Sequence, residues 1–281
     1  MIQENAYAKI NLFLHCVGRR SDGYHLLQTL FAFVSVCDRI GYKDDGASLS
    51  LEISGPFANK LEAAGDNLVI RAAHALAEAT GQAVRGRLML EKLLPVAAGL
   101  GGGSADAAAC LRLLNRAWGI DWPLDRLEPV ASVLGADVPA CLYNRAALGE
   151  GIGDLLRPWA CPRWHTLLVN PGRALLTAEV FACYQSNGTY TKVQDYDLQQ
   201  QVSLDILSCT GNDLQDPACA KLDAVRDILE ELGRGDPLLY RMSGSGPSCF
   251  ALYEDEQSCM KAKQEIRTNN PDWWVAHGKL L

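Results

Sequence analysis

Two apolar, aromatic-rich runs open the chain, residues 6–17 and 27–36, and both read as paired β-strands. Between them Gly18-Arg19-Arg20-Ser21-Asp22-Gly23 is a cluster of turn formers, so Tyr24 and His25 are expected to emerge from a loop, where ligand contacts concentrate. The period then lengthens to that of a helix. Leu68, Ala72, Ala75, Leu76 and Ala79 share one face behind Asp66 and Asn67, which offer a cap. Further helices are expected over residues 104–118 and 124–134, the latter with Leu127, Val130 and Leu134 at helical spacing and Gly135 as its stop. Pro158 and Pro162 interrupt regular structure, and a strand follows at 166–169. Beyond it the pattern predicts a helix (218–232), two strands (239–242 and 249–253), a helix (255–267) and a last strand (273–277). The expectation is an α+β chain in two domains, 1–157 and 158–281, the second with helices on one face of a small antiparallel sheet.

Composition narrows the functional classes. Apolar residues make up 48% of the 281 and charged residues 21%, enough for a sizeable buried core. A net charge of -7 argues against nucleic acid as a partner, because binding a phosphate backbone needs surplus Lys and Arg. Met1-Ile2-Gln3-Glu4 lacks the pattern of a leader, and no uncharged apolar run approaches the roughly 20 residues that span a bilayer. A cytoplasmic protein is expected. The ten cysteines are scattered without zinc-knuckle or redox-pair spacing, so they read as small buried hydrophobes.

The chemistry-bearing signal is Pro95-Val96-Ala97-Ala98-Gly99-Leu100-Gly101-Gly102-Gly103-Ser104-Ala105, which runs straight into an Ala-rich helical sequence. Glycines let a backbone approach phosphate oxygens closely, and the first amides of the helix point at the anion along a favourable dipole. Ser104 stands where a hydroxyl either caps the helix or helps hold a nucleotide-bound cation. A Walker loop is excluded because Gly103 is followed by Ser104 with no lysine, and the glycine spacing also fails the dinucleotide fingerprint. A glycine-rich turn without a ligand stays open at this point.

Three smaller segments have bland readings when each is taken alone. Alternation puts Lys9 and Asn11 of Ala8-Lys9-Ile10-Asn11-Leu12 on one side of a strand, which reads as a solvent-facing edge. Asp137 in Gly135-Ala136-Asp137-Val138-Pro139 reads as a turn cap, with Pro139 biasing Val138 away from helix. Met242-Ser243-Gly244-Ser245-Gly246-Pro247-Ser248-Cys249 reads as a hairpin turn.

In combination, the strand, the Pro-x-x-x-Gly-Leu-Gly-Gly-Gly-Ser loop and the late glycine turn resemble the GHMP kinase superfamily. Within it, Ala8 to Leu12, Asp22-Gly23-Tyr24-His25 and Gly135 to Pro139 are similar to the diphosphocytidyl-methylerythritol kinase family. The resemblance implies a two-domain GHMP fold, with an N-terminal domain like ribosomal protein S5 domain 2 and a ferredoxin-like α/β C-terminal domain. It implies ATP as co-substrate with Mg²⁺, whose ligands are not legible, and transfer of phosphate to the 2-hydroxyl of a CDP-linked methylerythritol in isoprenoid precursor synthesis. Another GHMP kinase of homoserine or mevalonate type, or a non-catalytic nucleotide-binding module, are the alternatives.

Residue by residue, the resemblance implies Asp137 as the base and Lys9 as its charged partner. It implies Tyr24, His25 and Phe181 around cytosine, and Asn11 and Thr177 on the substrate's polar groups. Residues 95–105 would hold the phosphates, with Asn67, Leu68 and Lys92 near adenine. Ala105 departs from the family's commoner second serine, leaving Ser104 as the only loop hydroxyl. The expected partners are a small-molecule substrate and either no other chain or a second copy of this one, as monomer or homodimer, with neither nucleic acid nor membrane.

Overall fold

The computed structural model describes residues 2–61, 67–185 and 189–281. Asp66 lies outside the described residues, as does Asn187-Gly188, a dipeptide whose residue types predict a turn. The chain forms two compact units: residues 1–8, 37–96 and 101–144 make the first, and 9–36, 97–100 and 145–281 the second. The opening strands β1 (Ile2–Arg19) and β2 (His25–Ser48) run longer than their apolar cores suggest, and each contributes residues to both units.

In the first unit, β4 (Arg85–Glu91) lies antiparallel to the later part of β2, with Ile40 opposite Leu90 and Tyr42 opposite Leu88. On its other side β4 takes β3 (Ser50–Ser54) in parallel. Neither β3 nor β4 was legible, because their apolar residues alternate with Arg and Glu over too few positions to stand out. The helices of this unit are α1 (Leu68–Thr80), α2 (Gly102–Ala117), α3 (Leu124–Ser132) and α4 (Val138–Tyr143). Asn67 caps α1 by accepting from the Val69 N–H at 3.0 Å, as its residue type predicts. Their buried faces, Leu76 and Ala73 on α1, Leu111 and Leu114 on α2 and Leu127 on α3, make the helical layer.

α4 overturns one expectation. Val138 is its first residue and Pro139 falls in its first turn, where the missing N–H has no intrahelical acceptor to lose. The proline bias away from helix therefore applies less than the tolerance of proline at a helix start.

In the second unit, β5 (Ala147–Glu150) pairs with the early part of β2, and β6 (Leu155–Pro158) pairs with β5. The remainder runs β7 (His165–Asn170), α5 (Thr177–Gln185), α6 (Leu204–Ser208), α7 (Gln215–Lys221), α8 (Asp223–Gly233), β8 (Leu239–Met242), β9 (Cys249–Tyr253), α9 (Glu256–Asn269) and β10 (Trp274–Lys279). Sheet order is β10-β7-β9-β8, all antiparallel. That is the fourth, first, third and second strand of a β-α-β-β-α-β unit, the ferredoxin-like arrangement expected. The helices bury Val180, Val225, Ile228, Leu232, Cys259 and Ile266 in one cluster with Leu167, Val169 and Ala251 of the sheet, and Leu14 and Cys16 of β1 join it.

The single helix expected over 218–232 is two. Leu222 is extended (φ -146°, ψ 101°), ending α7 and starting α8. Ala218, Leu222, Val225 and Leu232 keep a helical period across the break and are all buried, so periodicity alone hides it. The cysteines follow the buried expectation at Cys16, Cys110, Cys141, Cys219, Cys249 and Cys259, whereas Cys209 is exposed.

Candidate active site

The glycine loop begins with three left-handed residues, Ala97 (φ 53°), Gly99 (φ 73°) and Gly101 (φ 62°). Ala97 holds a conformation unfavourable for a residue with a Cβ, a local strain of the kind that marks functional loops. Gly101 is the cap residue of α2, which starts at Gly102, two residues before the position read from the sequence. Ser104 is thus inside the first turn and does not cap it. The first helical ring closes from Ala105 N–H to Gly101 O at 2.8 Å. Helix geometry leaves the amides of Gly102, Gly103 and Ser104 ahead of that bond with no intrahelical acceptor.

In the second unit, the three sequence motifs meet. Lys9 N–H donates to Leu100 O at 2.9 Å and Ser248 N–H donates to Ala98 O at 3.1 Å. Ser243 Oγ donates to Gly99 O at 2.8 Å and accepts from Asn11 N–H at 3.3 Å. The late turn is itself clamped by Asn212 Nδ2, which donates to Met242 O and Gly244 O at 2.8 Å each. The late turn therefore does more than join two strands: it is a brace under the loop.

Lys9 and Asn11 are not a solvent-facing edge. Lys9 is 4% and Asn11 2% exposed. Lys9 Nζ donates to Asn11 Oδ1 at 3.0 Å and lies 5.3 Å from the centre of the Phe31 ring. Asn11 Nδ2 donates to Thr29 Oγ1 at 2.8 Å, and Thr29 Oγ1 donates to Phe13 O at 2.6 Å. A relay of this kind fixes the rotamers of both side chains, and an ammonium held among few waters acts more strongly on a nearby charge than one in solution. Thr29 and Ser243 belong to this arrangement: Thr29 escaped sequence reasoning, since neither its residue type nor its spacing sets it apart, and Ser243 was read only as part of the late turn.

Tyr24, His25, Thr177 and Phe181 also belong to the second unit. Tyr24 is exposed, on the loop as expected, whereas His25 is buried as the first residue of β2. The His25 ring stacks on Phe181 of α5 at 4.8 Å between centroids, with Tyr184 edge-on at 6.0 Å. Its Nε2 is buried with no hydrogen-bond partner among the described residues. Burial, helped by the Arg19 charge, pulls the imidazole below its ordinary range, which keeps it neutral near pH 7. A neutral ring with a free nitrogen is a directional hydrogen-bonding group. Thr177 Oγ1 shares a hydrogen bond with Ser245 Oγ at 2.8 Å, tying α5 to the late turn.

Near the same strand, Asp213 gathers His15 Nδ1 (3.2 Å), the Cys16 N–H (2.8 Å) and Thr191 Oγ1 (2.8 Å). Burial disfavours its charge, but the bonds from His15, Cys16 and Thr191 outweigh that and hold the carboxyl below the usual range. A depressed carboxyl adds stability above its unfolded value near 3.9, and this is lost as pH falls through the lower folded value. Asp213→Asn is therefore expected to lower the thermal midpoint at pH 7 by several degrees and to flatten its decline between about pH 5 and 2. Melts across that range check it; an unchanged acid limb would refute the assignment.

Asp137, Asn67, Leu68 and Lys92 belong to the first unit. Asp137 is the residue before α4 and its side chain does not accept a capping bond, so the turn-cap reading fails. Asn67 and Leu68 begin α1. Lys92 is buried, with its ammonium 2.5 Å from Asp38 Oδ2 and 2.6 Å from Asp106 Oδ2. Asp38 and Asp106 were missed: a lone acid in a strand and another in an Ala-rich helix carry no sequence mark of burial.

Comparison with known proteins matches residues 67–145 to the GHMP kinases N terminal domain and residues 202–272 to the GHMP kinases C terminal domain. A 4-diphosphocytidyl-2-C-methyl-D-erythritol kinase of Nitrobacter winogradskyi is 40% identical, the match covering 99% of this chain and 94% of that protein. One of Granulibacter bethesdensis is 44% identical over 94% and 89% respectively. This chain belongs to the 4-diphosphocytidyl-2-C-methyl-D-erythritol kinase family. A crystal structure of 4-(cytidine 5'-diphospho)-2C-methyl-D-erythritol kinase has 32% identity and a TM-score of 0.79, covering 99% of both chains. The homoserine kinase of Cytophaga hutchinsonii, at 16% identity and a TM-score of 0.71, shares the fold. In this kinase family, then, the braced glycine loop belongs to a GHMP fold, and the chain is an ATP-dependent phosphotransferase.

Proposed function

We propose that this kinase transfers the γ-phosphoryl group of ATP to the 2-hydroxyl of 4-diphosphocytidyl-2-C-methyl-D-erythritol, giving ADP and the 2-phosphate, a step of isoprenoid precursor synthesis. The observation that carries it is the joining of the loop, the late turn and the Lys9-Asn11 strand by direct hydrogen bonds within one unit. The loop from Pro95 to Ala105 holds the triphosphate through its backbone amides. Gly103 supports this: its conformation is open to any residue and a Cβ there would meet no protein atom, so protein packing does not explain the glycine. A closely approaching anion does.

Asp137 accepts the proton of the attacking hydroxyl as its oxygen bonds to the γ-phosphorus and the bond to the β-phosphate oxygen breaks. Lys9 keeps that carboxylate ionised and offsets charge on the transferring group; positioning and electrostatics supply most of the rate. His25 reads an edge of cytosine, with Tyr24 and Phe181 as the flanking rings, and Asn11 and Thr177 contact polar groups of the polyol. Asn67, Leu68 and Lys92 lie on the adenine side.

Mg²⁺ accompanies ATP. Among the described residues no group of three or more His, Cys, Asp or Glu is arranged to hold a metal ion; the cation would be carried by the triphosphate, and the Ser104 hydroxyl is the loop group that would help hold it. We retain residues 1–157 and 158–281 as the N- and C-terminal GHMP domains, a division supported by the two family matches falling on either side. No helix among the described residues is long and apolar enough to cross a membrane. The reading is of a cytoplasmic kinase, monomeric or homodimeric, acting on a small molecule, with the net charge of -7 weighing against nucleic acid as a partner.

The deciding assay is ADP release with ATP, Mg²⁺ and the CDP-linked substrate. Turnover is expected with that substrate and only background with mevalonate or homoserine. Turnover on a simple alcohol instead would move the protein to another GHMP activity, and tight ATP binding with no turnover would mark a non-catalytic module.

A further inference from the structure

Beneath the start of α2 lies a buried charge cluster whose side-chain charges have no role in the reaction above. Lys92 follows β4, is 2% exposed, and its Nζ donates to Asp38 and to Asp106. Asp38 is itself fully buried in β2, and its Oδ1 accepts the backbone N–H groups of Leu93 at 2.5 Å and Leu94 at 2.7 Å. Asp106 is on α2, 2% exposed, and its Oδ1 has no hydrogen-bond partner among the described residues. A Cβ built on Gly102 would sit 3.1 Å from Lys92 Nζ, so the ammonium lies directly against the first residue of that helix.

Burial raises the Asp106 carboxyl above the ordinary range against the pull of Lys92. For Lys92, burial is opposed and outweighed by the two acids, so its ammonium stays charged. One cation faces two acids, so the cluster is neutral when one acid is protonated and negative when both are ionised. Its field therefore does not attract phosphate. Nor are such clusters a general source of stability, since desolvating the charges offsets most of their attraction. What remains is geometry: three charged side chains tie β2, the segment after β4 and the first turns of α2 at one point.

We propose that Lys92 is a positioning residue for the nucleotide, its side chain fixing the first turn of α2 through Asp106 and Asp38 so that the loop amides are aimed at phosphate. This rests on the reading that the loop binds ATP. Lys92 then acts through its ammonium on the loop, which is separate from any contact its backbone makes with adenine.

The test is Lys92→Met, with the double variant Lys92→Met/Asp106→Asn beside it, measured by binding of a non-hydrolysable ATP analogue, steady-state kinetics and thermal melting. The single variant is expected to raise both the analogue Kd and KM for ATP by about tenfold or more, with KM for the CDP-linked substrate within about twofold. The double variant is expected to recover the thermal midpoint, having shed a buried acid, while analogue affinity stays low. Wild-type affinity in Lys92→Met overturns the proposal. So does recovery of affinity together with stability in the double variant, because the ammonium would then serve the fold alone. If the single variant is insoluble, the double variant decides by the same affinity criterion. Failure of the wild-type chain to bind the analogue at all would remove the loop reading and this inference with it.

Discussion

Asp137→Asn is expected to lower kcat by about 10²–10⁴-fold while leaving affinity for an ATP analogue close to that of the parent chain. The amide keeps the size of the side chain but cannot take a proton from the attacking hydroxyl. Asp137 accepts no capping bond at the start of α4, so its replacement removes no helix cap, and a thermal melt of the variant checks that the fold is retained. A split between lost turnover and retained nucleotide binding is therefore the signature of a base. Near-normal turnover in single-turnover measurements would remove Asp137 from that role.

Gly99→Ala is expected to destabilise the chain strongly and to weaken nucleotide binding. The new Cβ would lie 2.5 Å from Ser243 O and 2.8 Å from Gly246 O, both backbone atoms of the late turn. A left-handed φ of 73° adds about 1–2 kcal/mol for any residue with a Cβ. Relief by moving the turn is blocked, since the Gly246 N–H donates to Ser243 O at 2.9 Å and Asn212 holds Gly244 O. A total cost of about 3 kcal/mol or more lowers the thermal midpoint by roughly 6–12 °C, and ATP affinity falls with the displaced loop. A variant that melts and binds as the parent does would show that the loop does not rest on the turn.

These two residues differ in how far they were readable. Gly99 belongs to a run of glycines whose local meaning, a backbone that approaches something closely, is carried by residue type alone. The something was in part another stretch of the same chain, more than a hundred residues away, and no local pattern indicates it. Asp137 looked like a turn cap because an isolated carboxylate before a proline usually is one; the start of α4 shows that the proline sits in a helix and the acid is not its cap.

Lys9 and Asn11 make the same point. Alternation correctly placed them on one side of β1, but alternation reports two faces without saying which is wet. Burial of that face depends on Thr29, Phe31 and the late turn, all brought there by long-range pairing. Lys92, Asp38 and Asp106 lie far enough apart in sequence that only the folded first unit makes them neighbours.

Residue type and short-range periodicity were thus sufficient for a glycine loop running into a helix, the cap at Asn67 and most strands and helices of the C-terminal sheet, because each is written in side-chain volume, backbone freedom or spacing within about twenty residues; the family and its ferredoxin-like order came from several distant motifs taken together. Chain folding settled the rest: which polar side chains lose their water, where a continuous apolar stripe hides a break at Leu222, and which distant carbonyl a glycine must clear. Those outcomes depend on contacts between segments remote in sequence, where the cost of burying a charge or closing a loop is met by partners that no local window contains.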